Sequence, residues 1–479
     1  MRGYLSFARP VGSDHGLFVR SDYPQVMLAR PFGVMTPLEV TPVKRPSTNM
    51  RLVDPPSTAS TALATETETI GIGGRPRRDC SIHEALAPVI FMAQLFSLMP
   101  IAGYTGSDPR DVRMTVRSVR FLYGCLTMIL MVSFTVMMIA YVGHESMFGV
   151  KEASSLAYYV FNVFFMTELM LLGRNWGRIM GRWYADELPF RSAPYLPPAN
   201  ALPLRRKLCL IAFGVMTFAF LEDTLNFLSA YKLNELHIRF CPHRNTFWKN
   251  FFQREHPYIL RAIPYHPLLG WTIELTMRVA KFTWHYVDVF IICLSLGLQR
   301  RFVQFNERLE RLDGQPQPQG VWRGLRLDFV RLTELVGFVD GRFSKLILIS
   351  CANDMLFITV QLYNSFDLKA TTVTTVYFWY SLGFLMSRCV MMLFIVSSVS
   401  QASERPLETL RRFPSSNWNL DLRRLCDAAA TAENALSGKR FFFIRRPLIL
   451  AMAGTIITYE LVLLDQIKNE PDNTRDCTF

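Results

Sequence analysis

No two cysteines in this chain stand at the spacing of a zinc site or a disulfide framework. The nine present are an odd number, and those at Cys125, Cys209, Cys293, Cys351 and Cys389 are scattered through apolar segments, where they read as small core residues. Any nucleophile–base or metal-ligand motif is also missing, so the chain is not read as an enzyme and neither metal nor cofactor is expected. The opening MRGYLSFARP lacks the apolar core of a signal peptide, which predicts an N-terminus that is not translocated. Lys+Arg 52 against Asp+Glu 39 gives a formal charge of +13. The basic residues form short clusters between apolar runs and are not gathered on one module, which argues against nucleic acid as a partner.

What the chain does have is apolar length. Half of it is hydrophobic and 13% is aromatic, with 37 Phe and a mean hydropathy of +0.17, too apolar for an ordinary soluble protein. A helix needs about 20 apolar residues to cross a hydrocarbon core of ~30 Å. Seven runs qualify: 118–142, 153–173, 207–231, 269–298, 343–365, 373–400 and 444–466. Ile82 to Pro100 is apolar too, but Pro88 and Pro100 interrupt it, so region 81–117 reads as a tucked or interfacial helix ahead of the membrane. Residues 1–80, rich in Arg, Pro, Ser and Thr, have the composition of a disordered tail.

Lys and Arg set the orientation. With the N-terminus inside, 25 basic residues fall on inner connections and ten on outer ones, which predicts N-terminus cytoplasmic and C-terminus extracellular. The expected order is spans 1–4 over 118–298 with an outer loop at 232–268 that folds as a cap. A cytoplasmic helical connection follows at 299–345, broken at Gly314–Gly320, then spans 5 and 6 over 343–400. A cytoplasmic anchor at 401–446 with basic SGKRFFFIRRP, the last span at 444–466 and an extracellular tail at 467–479 complete it. Seven spans in this orientation are not a G-protein-coupled receptor, and neither a DRY triplet nor an NPxxY motif is found.

Two constellations of polar groups stand inside these runs. Glu274, Arg278, Lys281, His285 and Asp288 are spaced by 4, 3, 4 and 3 residues. That spacing makes one helical stripe with Trp284 beside it, and such a stripe faces partners or water and never lipid. Arg388, deep in the sixth run, calls for an internal ion pair. In the last run, Thr458, Val462, Asp465 and Gln466 fall near one helical face, with Tyr459 turned away.

The stretch TYELVLLDQI, Thr458 to Ile467, resembles the C-terminal signature of insect gustatory receptors. The resemblance runs from about Ser81 to Ile467. AQLFSLMPIAG, GRNWGRIMGRW, AFLEDTL, FTWHYVDVFIICLSLGLQRRFVQFNERL and YFWYSLGFLMSRCVMM look like the sugar-receptor branch. The signature departs at Ile467, where the family carries Phe, and at Asp465, where it carries an apolar residue.

This resemblance implies an all-α membrane protein, a gustatory receptor acting as a ligand-gated cation channel in the plasma membrane of taste neurons. Four copies, alike or mixed with related subunits, would line one pore with their last helices and contact membrane lipid outside it. Thr458, Val462, Asp465, Gln466 and Ile467 would then form pore and gate. For Asp465 the competing reading is a helix-end cap near Lys468. A sugar pocket needs amides or carboxylates for hydroxyls and flat aromatic faces for the C–H side of the ring. Trp284, His285, Asp288, Glu222, Asp223, Asn226, Asp354, Gln361, Tyr363, Trp379 and Tyr380 are the candidate ligand contacts, with Tyr158, Asn162, Asn364 and Tyr377 nearby. A family chemoreceptor for bitter compounds is the alternative, against which the polar pocket argues. A solute transporter comes third, lacking the internal repeats that class shows.

Overall fold

The computed structural model describes residues 79–144, 149–198, 200–240, 246–312, 315–366 and 371–467, with backbone alone at 366, 415 and 459–467. The expected N-terminal and C-terminal tails lie outside the described residues, apart from 79, 80 and 467. Eleven α-helices are described: α1 (Ile82–Leu95), α2 (Val119–His144), α3 (Val150–Glu187), α4 (Leu204–Phe240), α5 (Phe247–Glu255), α6 (Pro257–Leu260), α7 (Pro267–Arg311), α8 (Gln319–Tyr363), α9 (Thr372–Leu410), α10 (Leu420–Thr431) and α11 (Arg446–Ile467).

Six helices among the described residues are long and apolar enough to cross a membrane, namely α2, α3, α4, α7, α8 and α9. In α11 the described side chains end at Thr458, which leaves Arg446–Thr458 as a shorter apolar helix. Several apolar runs are part of a longer helix, 153–173 within α3, 207–231 within α4, 269–298 within α7, 343–363 at the end of α8 and 373–400 within α9, whereas 118–142 and 444–466 nearly match α2 and α11. α7 and α8 each have 45 residues, about 67 Å at 1.5 Å per residue, more than twice the hydrocarbon thickness. Hydropathy marks only the stretch with an apolar circumference, whereas the helix continues wherever one amphipathic face finds a partner.

Burial sorts the spans. α2 shows Leu122, Leu126, Ile129, Val136 and Ile139 outward, the face of a helix that meets lipid. α7 is the buried centre, with every residue from Tyr286 to Leu298 enclosed. The helices alternate in direction, so the ends of α2, α4 and α8 and the starts of α3, α7 and α9 gather at one end. There α5 and α6 fold over the bundle as a cap. Phe251 and Phe252 are buried in it, and Trp248 stands 5.1 Å ring to ring from Trp271 of α7.

α1 is tucked into the bundle, buried on nearly all sides, and runs through Pro88 to Leu95. A capping box starts it, Ser81 accepting from the Glu84 amide while Glu84 accepts from that of Ser81. The chain then doubles back between 97 and 113 in a segment seated against α3. A Cβ on Gly177 would come 2.7 Å from the Val112 carbonyl oxygen, so only glycine permits this approach.

At the end away from the cap, Arg301 is buried and binds Asp79 Oδ2 at 3.0 Å and Glu187 Oε2 at 3.0 Å. The Arg191 carbonyl accepts from the Asp79 amide, its side-chain Nε donates to the Asp79 carbonyl at 3.0 Å, and its guanidinium pairs with Glu84 at 3.3 Å. Both arginines entered the count of loop charges that set the orientation. They are internal structural cations, because Asp79, Glu84 and Glu187 supply acidic partners. Burial and the Glu84 carboxylate push the Cys80 thiol up to about 12.

Candidate functional site

Two cavities lie beneath the cap among α3, α4, α7, α8 and α9. The outer one, about 310 Å³, is walled by Ser154, Ser155, Tyr158 and Tyr159 of α3, Asn226 and Phe227 of α4, and Glu274, Met277, Arg278 and Lys281 of α7, with Phe357 of α8. Phe251, Glu255, His256 and Tyr258 of the cap close it from above. The inner cavity, about 200 Å³, shares Tyr158, Asn226, Lys281 and Phe357 with the outer and continues to Glu222, Asp223, Trp284, His285, Gln361, Tyr377 and Ser381.

The α7 stripe divides along this axis. Glu274 accepts from Arg278 at 3.0 Å and faces His256 at 3.4 Å. Arg278 also pairs with Asp223, which takes Lys281 at 3.3 Å. The cap is thereby tied to α7, and Tyr258 reaches Tyr159 of α3 hydroxyl to hydroxyl. Burial pushes the Tyr258 hydroxyl up to about 12, so it stays protonated and keeps its hydrogen-bonding role.

Below the inner cavity the buried Arg388 of α9 gathers three helices. Its Nε lies 3.1 Å from Asp288 Oδ2 and its Nη2 3.4 Å from Asp354 Oδ1. Its Nη1 faces His285 Nδ1, and its guanidinium stands 4.9 Å over the Trp284 ring. The Trp284 indole donates to Asp354 at 2.9 Å, and Ser350 donates to Asp288. The internal ion pair expected of Arg388 is present.

The sequence candidates therefore separate. Glu222, Asp223, Asn226, Trp284, His285 and Gln361 stand in the wall of the inner cavity, as do Tyr158 and Tyr377. Asp288 and Asp354 line neither cavity, because Arg388 holds both in the core below. Tyr363, half-buried at the end of α8, lines neither. Trp379 is 59% exposed on the outer face of α9, and the Tyr380 hydroxyl donates to the Phe218 carbonyl at 3.0 Å between α4 and α9. Asn162 is buried and donates to the Tyr158 carbonyl at 2.9 Å; Asn364 opens the short 3-10 turn after α8.

Sequence reading missed His256, Tyr258, Glu255 and Phe251, which reach the cavity only because the cap folds back, and it missed Phe357 and Ser381. Phe357 had a signal, lying four residues before Gln361 on the same helical face. Of the pore candidates, Thr458 is exposed and donates to the Gly454 carbonyl at 2.9 Å. The side chains of Val462, Asp465, Gln466 and Ile467 lie outside the described residues.

Adjacent cavities with aromatic faces and polar edges, enclosed by apolar helices, suit a small polar ligand. Residues 75–477 match the family model described as "Trehalose receptor". The gustatory receptor for sugar taste 64a of Drosophila melanogaster is 32% identical over 387 residues, 80% of this chain and 84% of that protein. The gustatory receptor 5a for trehalose of the same fly is 31% identical over 404 residues, 84% of this chain and 88% of that one. In fold, the chain is similar to the insect olfactory receptor OR5 from Machilis hrabei, solved with eugenol, with a TM-score of 0.55 and 12% identity, covering 80% of this chain and 98% of that one. With its six apolar helices and a family match over most of its length, this multi-pass membrane chain belongs to the trehalose receptor family, the sugar branch of the insect gustatory receptors.

Proposed function

We propose that this chain is a subunit of a sugar-gated, non-selective cation channel in the plasma membrane of taste neurons. The observation that carries the reading is the adjacent pair of cavities with shared walls. Tyr158, Trp284, Phe357 and Tyr377 offer ring faces there, and Glu222, Asn226 and Gln361 offer hydrogen-bonding edges. A pyranose has the matching surface, an apolar C–H side and a rim of hydroxyls. The relatives named for sugar taste and for trehalose support the same ligand class.

In this reading the cap faces the outside and α11 is the seventh span, with the N-terminus cytoplasmic. The far ends of α7 and α8, with α10, stand below the membrane, where four copies, alike or mixed with related subunits, pack together. The last helices surround the pore with Thr458, Val462, Asp465, Gln466 and Ile467 toward its axis. A ring of four Asp465 carboxylates at its mouth would favour cations. The test is current recording from cells that express the chain, alone and with related subunits, under a panel of mono- and disaccharides. Saccharide-evoked cation current is expected. Silence toward every saccharide by a receptor confirmed at the cell surface, in all subunit combinations, would overturn the reading.

A further inference from the structure

Next to the inner cavity a donor and an acceptor stand side by side with their polarity already fixed. His285 Nδ1 faces Arg388 Nη1. A guanidinium has donors and no acceptor, so Nδ1 must accept and the ring proton must sit on Nε2. Nε2 lies 3.3 Å from Glu222 Oε2, yet Oε2 is buried without a hydrogen bond from the described protein groups. The other carboxylate oxygen, Oε1, accepts from the Ser381 hydroxyl. Having donated, Ser381 accepts from Gln361 Nε2 at 2.9 Å, which leaves Gln361 Oε1 as a second buried acceptor without a bond.

We infer that His285 and Glu222 form a hydroxyl-reading pair. A single ligand hydroxyl donates to Glu222 Oε2 while its oxygen accepts from His285 Nε2–H, after a small side-chain shift that opens Oε2 to the cavity. Arg388 does not touch the ligand. It is the positioning residue, because its obligatory donation excludes the tautomer in which Nε2 would be a second acceptor. With two acceptors in place of one donor and one acceptor, a hydroxyl with its single proton would satisfy only one of them. The inference rests on the sugar reading and deepens it. The pair requires a free hydroxyl at one sugar position, where an ether keeps the acceptor but has no proton for Glu222.

The test uses trehalose, with D-glucose if trehalose does not gate, and the mono-deoxy and mono-O-methyl derivatives of the same sugar. Currents are read from cells expressing the full chain. In the wild type, methylation or deoxygenation at one position should raise the half-maximal concentration roughly tenfold to a hundredfold, the range for a lost hydrogen bond to a charged group, with maximal current retained. Glu222→Gln supplies an amide that donates to an ether, so the penalty for methylation should collapse at that position alone. His285→Gln places a donor near the Nε2 position and should keep sensitivity to the free sugar, whereas His285→Asn removes the donor and should weaken the free and the O-methyl sugar together, leaving their ratio to Glu222. Arg388→Lys keeps a donor-only cation and should keep the preference even where overall sensitivity falls.

An unchanged methyl-to-free ratio at every position in Glu222→Gln, or equal sensitivity of the Gln and Asn variants at 285 to the free sugar, would overturn the pair. So would a wild type that tolerates methylation at every position, a result that needs no variant to fold. Silence of surface-expressed wild type toward all saccharides would instead overturn the sugar reading itself.

Discussion

Arg301 of α7 and Arg388 of α9, which meets the middle of α7 at His285 and Asp288, are equally buried, yet they are bonded in opposite ways. Arg301 uses all five N–H groups: Nε and Nη2 on Glu187, Nη1 on Asp79 and Gln304, and Nη2 also on the Cys80 carbonyl. Arg388 lies within ion-pair range of two carboxylates, but its Nε has no hydrogen bond, nor have Asp288 Oδ2 and Asp354 Oδ2. Buried charge is costly unless its bonds are complete. The saturated cluster therefore acts as a clasp that fastens the chain before α1 to α3 and α7. The unsaturated one has bonding capacity in reserve, beside the cavities, where a change in the pose of His285 or Trp284 can be accommodated.

A matched substitution is the strongest way to break this contrast. Arg301→Lys offers three donors to a site that uses five, and leaves Glu187, Asp79 and the Cys80 carbonyl short of partners. A cost of about 3–5 kcal/mol is expected, as for a broken buried pair, with most of the protein lost from the cell surface. Arg388→Lys replaces a site with fewer made bonds, so a cost of about 1–2 kcal/mol is expected. That receptor should reach the surface with an altered dose-response curve. Surface biotinylation and thermal unfolding in detergent measure both. Equal loss at the two positions would remove the distinction between clasp and reserve.

Two glycines carry the same contrast into packing. A Cβ on Gly177 of α3 meets the Val112 carbonyl, part of a backbone seated in place, while a Cβ on Gly270 at the cap end of α7 would meet the Phe252 ring at 2.6 Å. A ring can rotate away and a backbone carbonyl in a packed segment cannot. Gly177→Ala should cost about 1–3 kcal/mol, the range for overpacking, and Gly270→Ala less. A larger fall in thermal midpoint for Gly270→Ala would mean that the cap is the more tightly packed region.

The sequence showed the apolar lengths, the α7 stripe and the need of Arg388 for an internal partner, because each is a matter of spacing within one helix. It did not show how the stripe divides. Glu274 and Arg278 face the outer cavity and His285 the inner, while Asp288 ends in the core. That division depends on α8 and α9, whose Asp354 and Arg388 are distant in sequence. Arg301 was counted among loop cations for the same reason, its partners Asp79 and Glu187 lying 222 and 114 residues away. The cap's share of the cavity was also hidden, since it requires the chain after α4 to fold back.

A smaller effect tests the cap-end half of the comparison, where function and not stability should respond. Phe357 stands in the walls of both cavities, and Trp379 stands outside them. If the cavities hold the ligand, Phe357→Ala should raise the half-maximal sugar concentration about 2- to 10-fold, the equivalent of ~0.5–1.5 kcal/mol of aromatic contact. Trp379→Ala should leave it unchanged. The reverse order, at equal surface expression, would move the ligand out of these cavities to the outer face of α9.

The smallest effect is a chemical reading of the clasp itself. Cys80 donates its thiol to the Ser81 carbonyl at 3.4 Å, while its own carbonyl accepts from Arg301 at 2.8 Å. Its thiol is pushed up to about 12, first by burial and then by the Glu84 carboxylate. Thiolate is the reactive form, so at pH 7.5 Cys80 should label slowly with maleimide, and its rate should go on climbing with pH beyond the point where an ordinary thiol levels off. Loosening the clasp exposes the thiol and returns it toward its ordinary value, so the Arg301→Lys protein that does reach the membrane should label faster at pH 7.5. Arg388→Lys, in the cluster nearer the cap, should leave the rate where it was. Mass spectrometry of the Cys80 peptide after timed labelling gives the comparison directly. A rate that rises equally in both variants would show that the two arginine clusters respond as one unit.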